Sequence, residues 1–186
     1  FSPFFDFDLE VNLSSLNFTK VYNHFLSLDK EKQKKLFKIN NKLNGKINFS
    51  SDKIYSKNNL IKSFESRIKF YNGNLNLEQF LLNLGKLGAA DMVGSINSDK
   101  KFTNLKFESN IFVDNKKKFL SKFGIYKVKN LFSNLFVSGN FDLENVKLSI
   151  YEISENEKLK ANDINFIENE FNDIMLEDGF LNLFNF

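Results

Sequence analysis

Apolar and polar side chains alternate along most of this chain. The plainest example is residues 5–13, FDFDLEVNL, in which every odd position is apolar and every even position carries a polar group. Such alternation places successive side chains on opposite faces of a β-strand, so that one face is apolar and the other is solvated. About eight segments show this pattern. They predict a mainly β fold, an antiparallel meander with two or three short helices.

The register of one hairpin can be predicted from its turn. Asn72-Gly73 separates two alternating segments, residues 63–71 and 74–78. Asn-Gly between such segments is the strongest short-range hairpin signal, because both central residues of a type I′ turn need a positive φ. The predicted pairs are Tyr71 with Asn74, Phe70 with Leu75, and Ile68 with Leu77.

Three segments have helical features. Asp29 can cap a helix over residues 29–43, Asp114 can cap a short helix that Gly124 ends, and the apolar positions in residues 162–174 have helical spacing. The glycines of residues 85–88 lack the spacing of a phosphate-binding loop and predict a bend between strands.

The length, charge and composition of the chain limit the classes of function that it can have. The 186 residues predict a single domain, residues 1–186, with a net charge of +3 from interleaved Lys, Asp and Glu. Arg67 is the only arginine. Lysine cannot make the paired hydrogen bonds by which arginine recognises phosphates and bases in many nucleic-acid-binding proteins. The small net charge and the single arginine therefore argue against nucleic acid as a partner.

The residues needed for catalysis or metal binding are scarce. There is no cysteine, which excludes disulfides and thiol catalysis, and the one histidine, His24, is expected to be half-exposed on a strand or loop. The acidic side chains of residues 6–10 lie at period two without the ligand series of a calcium loop. We therefore predict no enzymatic activity, no cofactor and no metal site.

Residues 43–153 resemble the C-terminal region of AsmA-like proteins, of the AsmA/TamB type. The resemblance lies in a Leu-Asn-Gly strand opener at residues 43–45, the Asn72-Gly73 hairpin, a small-residue strand over residues 88–96, and the strand at residues 137–143. Asn72 stands where the family more often has Asp. Residues 5–13 would be an upstream strand.

This resemblance implies an open, apolar-lined β-groove in a bacterial envelope protein. Such proteins are anchored in the inner membrane, extend through the periplasm and are associated with phospholipid traffic to the outer membrane. The chain begins at Phe1 without an initiator Met, so we expect it to be an internal or C-terminal piece whose anchor lies elsewhere. The implied partners are phospholipid acyl chains and other envelope proteins.

Within each strand the apolar positions alternate with polar ones, and we expect the apolar sides of all strands to lie on one common face, which a lipid groove requires. The expected groove-lining residues are Ile47, Phe49, Phe64, Ile68, Phe70, Leu75, Leu77, Met92, Ile96, Leu105, Phe107, Ile111, Val113, Val137, Phe141 and Leu148.

An alternative explains the same alternation without lipid. A packed β-sandwich, acting as a structural or interaction domain of an exported protein, also buries one face of every strand. The two hypotheses differ in whether the apolar face is covered by protein or is available to a ligand.

Overall fold

The computed structural model describes residues 5–29, 31–32, 35, 42–55, 60–97, 104–121, 133–142, 147–155, 164–165, 168–169 and 172. Within these ranges the chain forms one eight-stranded sheet that is not closed, a two-stranded parallel ladder and two short helices. The mainly β fold class is therefore confirmed.

The elements follow one another along the chain with few interruptions. They are β1 (Phe5–Leu13), β2 (Leu16–Asn17), α1 (Phe18–Ser27), β3 (Leu43–Ser51), β4 (Ile54–Tyr55), β5 (Ser63–Tyr71), β6 (Asn74–Asn83), a 3-10 turn (Gly85–Leu87), β7 (Gly88–Ile96), β8 (Asn104–Val113), α2 (Lys116–Ser121), β9 (Asn134–Asp142) and β10 (Lys147–Ser154). The large sheet has the order β1-β3-β5-β6-β7-β8-β9-β10, and β2 pairs with β4.

The predicted antiparallel meander holds from β3 to β10, but it is wrong for β1. Every neighbouring pair from β3 onward is antiparallel, whereas β1 is parallel to β3. Parallel neighbours need a crossover connection, and the chain passes through β2 and α1 before it enters β3. The large sheet is therefore mixed.

The hairpin register predicted from Asn72-Gly73 is confirmed. Asn72 has a φ of 49° and Gly73 a φ of 78°, so both turn residues have the positive φ expected of this loop. The side-chain oxygen of Asn44 accepts a hydrogen bond from the backbone N–H of Asn72 at 2.9 Å. The observed pairs include Tyr71 with Asn74, Phe70 with Leu75, and Ile68 with Leu77.

Two β-bulges change the parity of the apolar positions. In β6, Leu77 pairs with Ile68 but Gln79 pairs with Arg67, so Glu78 is an extra residue. In β10 the register shifts between Ile150 and Glu152. A bulge inserts one residue without a partner. Apolar side chains after the bulge therefore stay on the same face only if they move from odd-numbered to even-numbered positions, or the reverse.

The first helix was not predicted, and its position corrects the expectation for His24. The side-chain oxygen of Asn17 caps α1 by accepting a hydrogen bond from the backbone N–H of Lys20 at 2.9 Å. His24 lies in the last turn of this helix and is exposed, rather than half-exposed on a strand or loop.

The helix predicted after Asp114 is present, but Asn115 caps it. The side-chain oxygen of Asn115 accepts a hydrogen bond from the backbone N–H of Lys118 at 3.1 Å. The expected stop at Gly124 lies outside the described residues.

Most of the predicted helix over residues 29–43 also lies outside the described residues. Asp29 does accept a hydrogen bond from the backbone N–H of Lys32 at 2.8 Å, as a capping residue would, and this bond lowers the pKa of its carboxyl group. Leu43 is not helical but begins β3. Within the predicted helix over residues 162–174, the described residues are helical.

Side chains from that last segment cover the outer edge of β10. Asn172, which is buried, accepts a hydrogen bond from the backbone N–H of Leu148 at 2.7 Å and donates one to the Leu148 carbonyl at 2.8 Å. The carboxylate of Glu168 accepts a hydrogen bond from the Ile150 N–H at 2.7 Å. Backbone groups that would otherwise be unpaired at a sheet edge are thus satisfied by side chains.

Candidate functional site

Strand pairing brings the predicted groove residues to one face of the large sheet, here called the apolar face. Residues paired across neighbouring strands point to the same side of a sheet. Ile47 pairs with Ile68, Ile68 pairs with Leu77, and the same row continues through Gly94 to Phe107. The row then reaches Gly139 and Ile150, so it crosses from β3 to β10.

The other predicted residues lie in adjacent rows of the same face. Phe70 pairs with Leu75, which pairs with Ile96. At the opposite end of the sheet, Val113 pairs with Gly88. All sixteen residues expected to line a groove therefore lie on the apolar face, where the structure places them without exception.

Burial across the apolar face is incomplete. Of the sixteen residues, Phe64, Ile96, Val113 and Leu148 are buried, and the other twelve are half-buried. Exposure is greater on the edge strand β1, where Leu9 retains 48% of its accessible surface. The face is thus apolar along its length, but most of its side chains keep contact with solvent.

Several residues of this face were not among those predicted to line the groove. Phe80 pairs with Ser66 and Met92, and Leu82 pairs with Phe64 and Ala90, so both lie on the apolar face. The signal that could have identified them is the polar doublet Glu78-Gln79, after which the apolar positions change from odd to even numbers. Ile153 in β10 lies beyond the second bulge in the same way.

Aromatic rings meet on this face in two groups. Phe64 contacts Phe49 with 5.0 Å between ring centroids in an edge-to-face arrangement, and its centroid lies 5.9 Å from that of Phe80. Nearer β1, the ring of Phe7 lies 5.7 Å from that of Phe70. These distances fall in the range of favourable aromatic pairs, which add to the apolar surface without adding a polar group.

The hydroxyl groups on the apolar face are engaged by the backbone. The Ser66 hydroxyl donates a hydrogen bond to the Phe49 carbonyl at 2.9 Å, and the Ser109 hydroxyl donates one to the Asp91 carbonyl at 2.7 Å. Within the described residues neither hydroxyl bonds a histidine or carboxylate base, the arrangement that activates a nucleophile. Both hydroxyl groups are thus used in hydrogen bonds within the sheet.

The opposite face, here called the polar face, carries charged and amide side chains with scattered apolar ones. Val93 and Phe112 lie on it with 46% and 44% of their surfaces exposed. A shallow, open depression of about 310 Å³ lies on this side of β5, β6 and β7, beside Glu65, Leu81 and Asp91. It is separated from the apolar face by the sheet itself.

The described residues contain no group of three or more His, Asp or Glu side chains that could hold a metal ion. None of their helices has the length and hydropathy needed to cross a membrane.

Comparison with protein-family models, curated proteins and solved structures finds no match to this chain. The resemblance of residues 43–153 to AsmA-like proteins therefore stays a prediction.

Proposed function

We propose that this protein is a non-enzymatic envelope protein whose apolar face holds phospholipid acyl chains and conducts them between the inner and outer membranes. In this proposal the sheet supplies a continuous apolar surface, and the polar face stays in water. The envelope setting, in the periplasm with an inner-membrane anchor outside these residues, comes from the resemblance to AsmA-like proteins.

The observation that carries the proposal is the half-buried state of the apolar face. Twelve of its sixteen predicted lining residues, among them Ile68 and Phe107, keep partial exposure although they lie on central strands. In a packed β-sandwich the corresponding side chains are covered by a second layer about 10 Å away. Partial exposure over several strands favours a surface that a ligand completes.

The energetics suit a passive carrier. Each apolar CH₂ group transferred from water contributes about 0.8 kcal/mol, so the two chains of a phospholipid cost on the order of 20 kcal/mol to expose fully. A continuous row such as Ile47, Ile68 and Leu77 offers apolar contact from strand to strand. Transfer along such a surface needs no catalytic group, because no covalent bond changes.

Native mass spectrometry of the purified protein, with organic extraction alongside, tests the proposal. We expect masses that correspond to one or more bound phospholipids and phospholipid in the extract, because acyl chains would remain on the apolar face during purification. A lipid-free wild-type protein that unfolds cooperatively would contradict the proposal. That result would favour the packed β-sandwich as a structural or interaction domain.

A further inference from the structure

The two edges of the large sheet differ in how their backbone groups are satisfied. At the β10 edge, Asn172 and Glu168 bond the outward N–H groups of Leu148 and Ile150. At the other edge, β1 has β3 as its one strand partner among the described residues. Within the described part of the chain, no other strand pairs with the outward backbone donors and acceptors of β1, and such a row can pair with an added strand.

The register shows which backbone groups face that open edge. The Phe5 N–H donates to the Lys42 carbonyl at 2.9 Å, and the Leu13 carbonyl accepts from the Asp52 N–H at 3.0 Å, so the odd residues of β1 bond toward β3. Because backbone groups of successive strand residues point to opposite sides, the even residues point outward. The outward N–H and C=O groups belong to Asp6, Asp8, Glu10 and Asn12.

The same even residues place three carboxylates in a row on the polar face. Asp6, Asp8 and Glu10 are all exposed. Lys46 pairs in register with Asp8, but no ion pair within 4.0 Å joins them, since the one salt bridge among the described residues links Lys32 with Asp29. The Glu10 carboxylate accepts a hydrogen bond from the side-chain amide of Asn12 at 3.0 Å, which leaves its charge unneutralised. Among the described residues the row therefore has no cationic partner, and it can pair with basic side chains on a strand that adds to β1.

The carboxylate row argues against a second copy of this chain at the same edge. Two β1 strands paired antiparallel about Leu9 would place Asp8 opposite Glu10 of the other copy. Like charges directly opposite each other destabilise a pair of strands. Pairing β1 with the β10 edge of another copy would first require displacement of Asn172 and Glu168.

We propose that β1 is a strand-addition site for an extended segment of a partner protein in which apolar residues alternate with lysine or arginine. The backbone of that segment would bond the outward groups of β1, and its basic side chains would lie opposite Asp6, Asp8 and Glu10. Its apolar side chains would extend the apolar face beyond Leu9 and Val11, which are 48% and 38% exposed. Backbone pairing supplies affinity in this mode, and side-chain pattern supplies specificity.

Fluorescence polarisation with a labelled nine-residue peptide of alternating Val and Lys tests this inference. We expect saturable binding that is at least about tenfold tighter than binding of a Val/Glu peptide, or of a scrambled peptide with the same composition. The scrambled peptide keeps the charge but loses the alternation, so it separates strand addition from general attraction. Equal binding of all three peptides, or no binding, would overturn the inference.

Two substitutions at one position separate charge from backbone pairing. Asp8→Asn removes one carboxylate and keeps the outward N–H, whereas Asp8→Pro removes the carboxylate and the N–H together. Proline is tolerated on an edge strand where its nitrogen faces outward, and circular dichroism checks that the sheet remains. We expect affinity for the Val/Lys peptide to fall about threefold for Asp8→Asn and at least about tenfold for Asp8→Pro. Equal affinities of the two variants would contradict backbone pairing.

Hydrogen exchange provides a readout that does not depend on a variant. Binding of the Val/Lys peptide to the wild-type protein should slow exchange at the amides of Asp6, Asp8 and Glu10 more than at those of Phe7 and Leu9, which already bond toward β3. Protection at other surfaces alone would overturn the inference. This test does not require bound lipid, so its failure would leave the proposed lipid function standing.

Discussion

Met92→Asp is expected to reduce the phospholipid bound to the protein about tenfold, whereas Val93→Asp is expected to leave it almost unchanged. The two residues are neighbours in β7, a central strand, but Met92 lies on the apolar face and Val93 on the polar face. A carboxylate at position 92 would have to be desolvated against acyl chains. The same group at position 93 remains in water, because Val93 is already 46% exposed.

Lipid extraction and native mass spectrometry of the two variants, each checked for cooperative unfolding, measure this difference. Met92 pairs in register with Ser109, so this row of the apolar face already contains a polar side chain next to position 92. Lipid content as high as that of the wild type in both folded variants would show that the apolar face does not hold the lipid. Equal loss in both would point to a general effect of added charge.

Gly88→Ala is expected to lower the free energy of unfolding by about 3 kcal/mol. Gly88 has a φ of 139° at the start of β7, a conformation that residues with a side chain rarely adopt. A Cβ atom there would also collide with the backbone carbonyl oxygen of Phe112 in β8. Because that obstacle is part of the sheet, it cannot move without disturbing the β7–β8 pairing. Urea denaturation followed by circular dichroism measures the change.

Gly85→Ala is the matched control, three residues earlier. Gly85 also has a positive φ, 61°, but a Cβ atom there would meet only the flexible side chain of Lys62, at 3.2 Å. We expect this control to cost about 1 kcal/mol, the penalty of the left-handed conformation alone. If the two variants were equally stable, close packing of β7 against β8 at Gly88 would not be a determinant of stability.

Local sequence patterns were sufficient to predict much of the apolar face. The alternation in residues 5–13 indicated a strand, and the turn chemistry of Asn72-Gly73 fixed the register of β5 and β6. Both features depend on residues close together in the chain. Period-two alternation also predicted which side of each strand is apolar, because cross-strand partners must share a face.

Other features depend on contacts between distant residues, so local patterns did not predict them. The parallel pairing of β1 with β3 joins segments that β2 and α1 separate in sequence, and α1 contains Thr19, Val21 and Tyr22, residue types that favour strands. The two hydrogen bonds between Asn172 and Leu148 join residues 24 apart in sequence. Strict alternation does not predict the bulge at Glu78, because it assumes that the apolar positions keep one parity along a whole strand.

The most direct test of the apolar face as a lipid-binding surface is photo-crosslinking from two phenylalanines of β8. Phe107 lies on the apolar face, whereas Phe112 lies on the polar face of the same strand, where it is 44% exposed. Replacement of each, in turn, by p-benzoylphenylalanine keeps the aromatic ring and adds a group that reacts with nearby C–H bonds. The protein is then irradiated with phospholipid and analysed by mass spectrometry. Our account predicts acyl-chain adducts at position 107 and few at position 112, and absence of adducts at position 107, or equal labelling of both, would contradict it.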